Sequence, residues 1–505
     1  MVSPIKLTFH LFKISIFVDH IYDFYQMKAV FPALLFFLLP LQNLLAQNYQ
    51  AVHGSSYAGS LGVHNNPASI LSSPLPWDIM LFGIQTKNYS NLFGINKSVN
   101  PKTSGYQLRV VNGEGKRDLL NNTNINILNA RFSLPKKSAI SFGINIRSAT
   151  IAKTSVLNLS DTISSSNSLL GINTSNQPLK ADLFSSNWLE LHGTYAKTIL
   201  ENRYRKLNVG GTIKLNKGAA GVVFKGDDGR FQQMASRNYP SYYFTSAELY
   251  YGYSYNLETW NVNKPISSNL KQAYKDTDGG ISMNLGLEYV IKGKKSSFAF
   301  DEGNPNEYVW KFGFSLLDLG YAKYKYGTES AKTSGVDPAY QGTPLENKFD
   351  ATIQTVENFN DSLKTMVVTF NSLYRRFLIH HPTRFVLNVD RKLSDFIYIN
   401  GELTLNLSQL MYANKFYVRE MNLLTVTPRI ENRNFGFYLP LSMNTYYKLW
   451  LGAAFKAGPL LFGLHNIAPV KTKSNLQNGG GYIAFVISPY DFKRVKRDKS
   501  LNCPK

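Results

Sequence analysis

A single cysteine, Cys503, stands in 505 residues, so no disulfide can form within the chain, and a zinc or iron–sulfur site built on thiolates is excluded. Also missing is any run of eighteen apolar residues, which excludes a membrane protein made of spanning helices. The longest apolar run, Ala29 to Leu41, follows Lys28 and is succeeded by Leu44-Leu45-Ala46 before Gln47. Its length and basic flank predict a secretory signal peptide over residues 1–46, with Met27 as the true start and export to follow. A nucleophile elbow, a phosphate loop and H-E-x-x-H are all absent, and the eight histidines are dispersed. In the pair His380-His381, successive side chains of an extended chain point to opposite faces rather than at one metal. These absences leave no recognisable catalytic, cofactor or metal motif, so no cofactor or metal is expected; an outer-membrane hydrolase stays open only because barrel enzymes can lack sequence-local motifs. Acidic residues are few beside basic ones, giving a formal charge of +22. The cations are scattered through loops and turns rather than gathered on one helix, which points to anionic lipid headgroups or solutes and not to nucleic acid.

What is abundant is alternation with a period of two. Between Asn126 and Arg147, Leu128, Ala130, Phe132 and Leu134 share one face of a run, with Asn129, Arg131 and Ser133 on the other. After Pro135-Lys136-Lys137 the pattern returns, with Ile140, Phe142, Ile144 and Ile146 against Ser141, Gly143, Asn145 and Arg147. Such runs suit a pleated strand whose two faces meet different solvents, and their length suits a tilted strand crossing a hydrocarbon layer. Similar runs follow to about residue 489, the clearest being Ile281 to Ile291. Connections at 135–138, 199–206, 391–395, 432–434 and 458–459 are short, whereas those at 88–123, 150–186, 217–241 and 320–381 are long. Short turns at one end and long loops at the other are the pattern of an outer-membrane barrel, and the 31 Tyr and 32 Phe can supply its aromatic girdles.

The expected fold is therefore all-β, an antiparallel transmembrane barrel over residues 77–489. A parity argument favours about 14 strands over 16, with the run at 242–255 as an extension beyond the membrane. Near-helical spacing of Val356, Phe359, Leu363 and Val367 predicts a short helix in the longest loop. A basic periplasmic tail is expected over 490–505. Residues 47–76 are Gly/Ser-rich and contain Asn66-Pro67, which disfavours a helix there. Irregular backbone at membrane depth must be surrounded by protein or water, so this lead-in is expected either to form a short hatch in the lumen or at its periplasmic mouth, or to be an ordinary flexible leader. Facing the lumen, the alternation places Arg147, Glu190, His192, Lys214, Glu288, Lys311, Arg384, Asn388, Asp390, Glu402, Arg429 and Glu431. Mixed signs of this kind either pair and fill the interior or line an aqueous pore.

Several short motifs carry a resemblance. Leu45-Ala46-Gln47, Tyr57-Ala58-Gly59-Ser60 leading to Asn66-Pro67-Ala68, Phe312-Gly313-Phe314 through Asp318-Leu319-Gly320, Thr427-Pro428-Arg429 and Tyr438-Leu439-Pro440-Leu441 resemble a Bacteroidota outer-membrane barrel family of unassigned function. The layout is similar to barrels associated with gliding motility and type IX secretion, and more distantly to the long-chain fatty-acid transporter superfamily. The resemblance implies an outer-membrane location and no enzymatic activity. In the fatty-acid transporters an Asn-Pro-Ala motif belongs to an N-terminal hatch, which carries over to Asn66, Pro67 and Ala68 alone. The expected function is a channel or transporter-like barrel for an unidentified solute. The other reading is a structural adaptor that binds periplasmic or cell-surface proteins.

Overall fold

From Trp77 onward each stave pairs antiparallel with its sequence neighbour, and the last returns to the first, so the sheet closes without a free edge. The computed structural model describes residues 49–97, 106–234, 240–259, 263–275, 277–293, 308–349, 353, 355–467 and 478–489. The predicted leader 1–46 and basic tail 490–505 lie outside these residues. The wall has fourteen staves. In order they are β1 (Trp77–Ser90), β2 (Gly113–Leu134), β3 (Ser138–Leu159), β4 (Leu179–Glu201), β5 (Arg205–Gln233), β6 (Gly279–Lys292) and β7 (Tyr308–Lys325). There follow β8 (Arg384–Lys392), β9 (Ile397–Asn406), β10 (Leu423–Glu431), β11 (Phe435–Tyr438 with Leu441–Asn444), β12 (Leu449–Leu451 with Ala453–Ala457), β13 (Leu460–Leu464) and β14 (Asn478–Ile487). β1 lies between β2, where Trp77 faces Phe132, and β14, where Ile84 faces Ile483. Closure satisfies the backbone of every stave within the wall, the condition that hydrocarbon imposes.

The wall is inverted relative to a soluble domain. On β5, Ile213 is 65% exposed while the adjacent Lys214 is 4% exposed. On β4, Leu191 is exposed and His192 buried. A water-soluble fold hides the aliphatic side chain and hydrates the charge, so this reversal identifies the outer face as the one that meets lipid. Exposed Leu285, Phe314, Leu403-flanking Leu405, Val426, Phe455 and Phe485 continue the apolar belt around the ring.

β5 and β6 pair directly, Leu215 opposite Ile281, so the run at 242–255 is not a stave. It forms the strand Tyr242–Tyr253, which pairs with the far end of β5 beyond the level of β6. Three of the expected long loops are in large part strand. β2, β3, β4 and β5 have 22, 22, 23 and 29 residues, where about 9–11 suffice to cross a bilayer. Beyond the membrane both faces of a hairpin meet water, the alternation fades, and the sequence signal for strand fades with it. The long-loop helix spans Val356–Lys364, capped by the Thr355 hydroxyl; Val367, expected on it, instead opens the strand Val367–Ser372. β11 and β12 are each interrupted. Pro440 has no amide to give the ladder, and its carbonyl accepts the Gly452 amide at 2.7 Å.

Candidate functional site: a stoppered lumen

Residues 49–72 fold as three 3-10 turns, Gln50–Val52, Gly59–His64 and Pro67–Leu71, and most of their side chains are buried. Their bonds reach staves right around the ring. The Tyr49 amide donates to Gln85 of β1 (3.1 Å) and its hydroxyl to Asn126 of β2 (2.7 Å). Gln50 donates to Thr425 of β10, Ser55 to Glu431 (2.8 Å), and His53 Nδ1 lies 2.6 Å from Glu402 of β9. Asn129 donates to the Ser60 carbonyl (2.6 Å), Ser315 of β7 to the Asn65 carbonyl (2.7 Å), and Arg131 to the Ile70 carbonyl (2.6 Å). A segment bonded to opposite walls of a closed ring fills its bore.

Asn66, Pro67 and Ala68 sit on a seat of glycines. Gly210 of β5 is paired directly with Gly286 of β6, and Gly313 lies on β7 beside them. A Cβ on Gly286 would meet Asn66 Oδ1 and stand 2.7 Å from Pro67 Cδ; one on Gly210 would stand 2.7 Å from the Pro67 carbonyl carbon. Their bare backbone lets the turn lie flat on the wall. Asn66 Nδ2 donates to the Leu287 carbonyl (3.0 Å), while its Oδ1 accepts the Ala68 amide (2.9 Å) and caps the turn that Pro67 begins.

The inward charges form two paired groups. Towards the short-turn end, Asp390 holds Arg429 at 2.5 and 2.9 Å, Arg429 reaches Glu431 at 2.7 Å, and the Tyr308 hydroxyl donates to Asp390. Nearby Glu288 accepts from Asn208 (2.9 Å) and Ser72, Lys311 donates to Ser56 (3.3 Å), and Asn388 donates to Glu402 (3.4 Å). Higher up, Asp318 is the hub. It is ion-paired with Arg147 (2.5 Å), Lys214 (2.7 Å) and Arg384 (2.6 Å). Glu190 lies against Arg147 (3.3 Å) and Lys214 (3.4 Å) and accepts from Asn145. It makes no acid–base pair with His192, whose ring instead meets His64 of the inserted segment at 5.6 Å. Of the expected alternatives, the charges fill the interior: the cavity lined by His64, Arg147, Glu190, Lys214, Asp318 and Arg384 is about 10 Å³, room for one water at most. His381 meets Asn216 at 2.9 Å and His380 stacks on Tyr412, so the pair does point apart.

Three partners escaped the alternation. Asp318 falls out of phase with Lys311, Gly313 and Ser315 because the register shifts between Leu316 and Leu319, leaving Asp318 at φ +58° and Gly320 at φ +157°. The Asp-Leu-Gly sequence inside an apolar run was the available signal. His53 and Glu420 belong to segments without periodicity. Glu420 arrives on the loop between β9 and β10, which crosses the long-loop mouth of the barrel. On one side its Val418 amide donates to the His380 carbonyl (3.0 Å); on the other Arg419 pairs with Asp118 (2.8 Å) and Asn122 donates to the Arg419 carbonyl. Tyr417, Val418 and Met421 pack with Trp188, Phe184, Tyr324, Phe377 and Trp450 in a buried apolar cluster.

Among solved structures the chain is similar to the Ralstonia pickettii toluene transporter TbuX, at 9% identity over 86% of this chain and 94% of that one, with a TM-score of 0.39. It is likewise similar to the P. putida toluene transporter TodX (7%, 86% and 94%, TM-score 0.40) and to a Pseudomonas aeruginosa FadL homologue (9%, 88% and 97%, TM-score 0.38). No curated protein matches it. The stretch from Pro67, at the glycine seat, to His465, just after β13, matches the model of a family of unknown function, DUF5723, and the chain belongs to that family.

Proposed function

We propose that this chain is a gated, non-enzymatic channel of the bacterial outer membrane, with its short turns in the periplasm and its tall hairpins outside the cell. One observation carries the reading. The bore is closed by Tyr49–Ser72, a segment that belongs to no stave, so the ring of fourteen strands is complete without it. A barrel needing only rigidity fills its lumen with stave side chains; a removable stopper is the device of a pore that opens. The stopper is a hatch, hinged where Pro74 and Pro76 lead into β1. Its attachments are hydrogen bonds worth about 0.5–1.5 kcal/mol each, about 1.5–3 where a carboxylate takes part, together with packing of Tyr49, Val52, Leu61 and Ile70 against the wall. The inward carboxylates Glu190, Asp318, Asp390 and Glu402 hold cations and hatch side chains, which is a latch and not a hydrolytic site.

Deletion of residues 49–72, followed by reconstitution in planar bilayers, tests this. The wild type is expected to conduct rarely, and the deletion variant to show a large, persistent conductance. A deletion variant that folds, by its heat-modifiable migration, yet conducts no more than wild type overturns the proposal.

A further inference from the structure

The charged groups around the outer mouth do not balance without a contribution from the lid loop, the segment between β9 and β10. At the level of Asp318 the staves supply four buried cations, Lys87 from β1, Arg147 from β3, Lys214 from β5 and Arg384 from β8. They supply two carboxylates, Glu190 and Asp318, that engage these cations. Glu402 also lies within electrostatic reach of Lys87 but is committed to His53 at 2.6 Å. The wall alone is thus cation-rich. Lys87 is the most exposed case energetically: its ammonium is buried and has no hydrogen-bond partner among the described residues. A buried ammonium without a hydrogen-bonded counter-ion is costly, so an anion brought beside it is favoured.

Into this ring the lid inserts one carboxylate. Glu420 is buried, lies 2.9 Å from Arg384, and is within electrostatic reach of Lys87. It also lines an outward-facing cavity of about 170 Å³, together with Asn406, Gln409, Leu410, Arg419, Met421 and Asn422 among others. That space is more than ten times the one-water cavity beside Asp318 and takes a single small organic molecule. Its lining offers the side-chain amides of Asn406, Gln409 and Asn422 to hydroxyl groups, and Glu420 is the lining residue that joins it to Arg384.

We infer that Glu420 is a built-in counter-ion that latches the lid, and that Lys87 and Arg384 form the binding site for the carboxylate of a small hydroxylated organic acid. The inference deepens the channel reading and rests on it. An acid in the outer cavity has its carboxylate beside the Glu420 position and competes for the same cations. Replacing Glu420 there frees the lid from Arg384. Arg384 in turn reaches the hatch, its guanidinium 3.5 Å from the His64 carbonyl, so the exchange is passed from lid to stopper.

The test uses the full mature chain and the 49–72 deletion variant in planar bilayers, with gluconate as the acid and glucose as its neutral counterpart. Gluconate is expected to raise the open probability of the wild type several-fold and glucose to leave it unchanged. Glu420→Gln is expected to open without gluconate and to shift the reversal potential in a salt gradient towards anion selectivity; Lys87→Gln is expected to lose that selectivity. In the deletion background the same two substitutions should move selectivity in opposite directions. A deletion variant that never conducts sinks the channel reading itself. One that conducts with a selectivity indifferent to Glu420→Gln and Lys87→Gln, or a wild type that answers gluconate and glucose alike, overturns the inference alone. Should Glu420→Gln fail to fold, Lys87→Gln and the gluconate comparison decide.

Discussion

Gly286→Val isolates the hatch from the wall that holds it. The added side chain enters the space of Asn66 and Pro67, since its Cβ alone would stand 2.7 Å from Pro67 Cδ and 3.0 Å from Pro67 N. Gly286 has no positive φ, so valine strains no backbone there, and within a strand it is favoured over glycine by up to about 1 kcal/mol. The wall therefore tolerates the change and the hatch bears it. Forcing methyl groups into a filled site costs about 1–3 kcal/mol, which shifts the docked-to-displaced ratio by roughly 5- to 150-fold. Hydrogen exchange read by mass spectrometry across residues 49–72, in detergent micelles, should show protection falling by that factor while β5, β6 and β7 stay protected. Gly211→Val supplies the control, because its Cβ meets nothing nearer than the Asn284 carbonyl at 3.9 Å. Unchanged protection of the hatch in Gly286→Val, or loss of hatch and staves together, would refute the seat.

Leu285→Arg on the lipid face should cost about 2–4 kcal/mol near the bilayer midplane, measured by urea titration of folding into vesicles. From alternation alone the neighbouring lumen positions look tolerant, but Asn145 donates to Glu190 and accepts from Asn126, and Asn284 accepts the Asp318 amide. Asn145→Arg should therefore also destabilise the fold, by overfilling a bonded interior, and a neutral result in the same titration would contradict the packed lumen. Arg429→Met strands Asp390 and Glu431 in a dry interior and should cost about 3–5 kcal/mol, of which a paired Asp390→Asn should recover part. If the single and double variants unfold at the same urea concentration as wild type, that ion group does not support the wall.

Alternation in Leu128–Leu134 and Ile281–Ile291 marked the strands and their lipid-facing side, because the bilayer imposes its two-faced demand on every stave residue by residue, while the contrast of short turns with long loops pointed to a barrel of about 14 strands. The same rule placed Arg147, Glu190, Lys214, Arg384 and Arg429 in the lumen, since inward means only out of phase with the belt. Tall hairpins such as the upper half of β5 went unread because water on both faces imposes no period. Partnership was decided by the closed ring alone. Asp318 joins Arg147, Lys214 and Arg384 across 171, 104 and 66 residues of chain, and only a bulge turns it inward. The glycine seat under Pro67 exists because Gly210 and Gly286 meet across two staves 76 positions apart in sequence. Glu420 reaches the lumen because an aperiodic loop folds back across the mouth. Local sequence reports which solvent a side chain faces; which side chain it meets depends on register and closure, and those are properties of the whole ring.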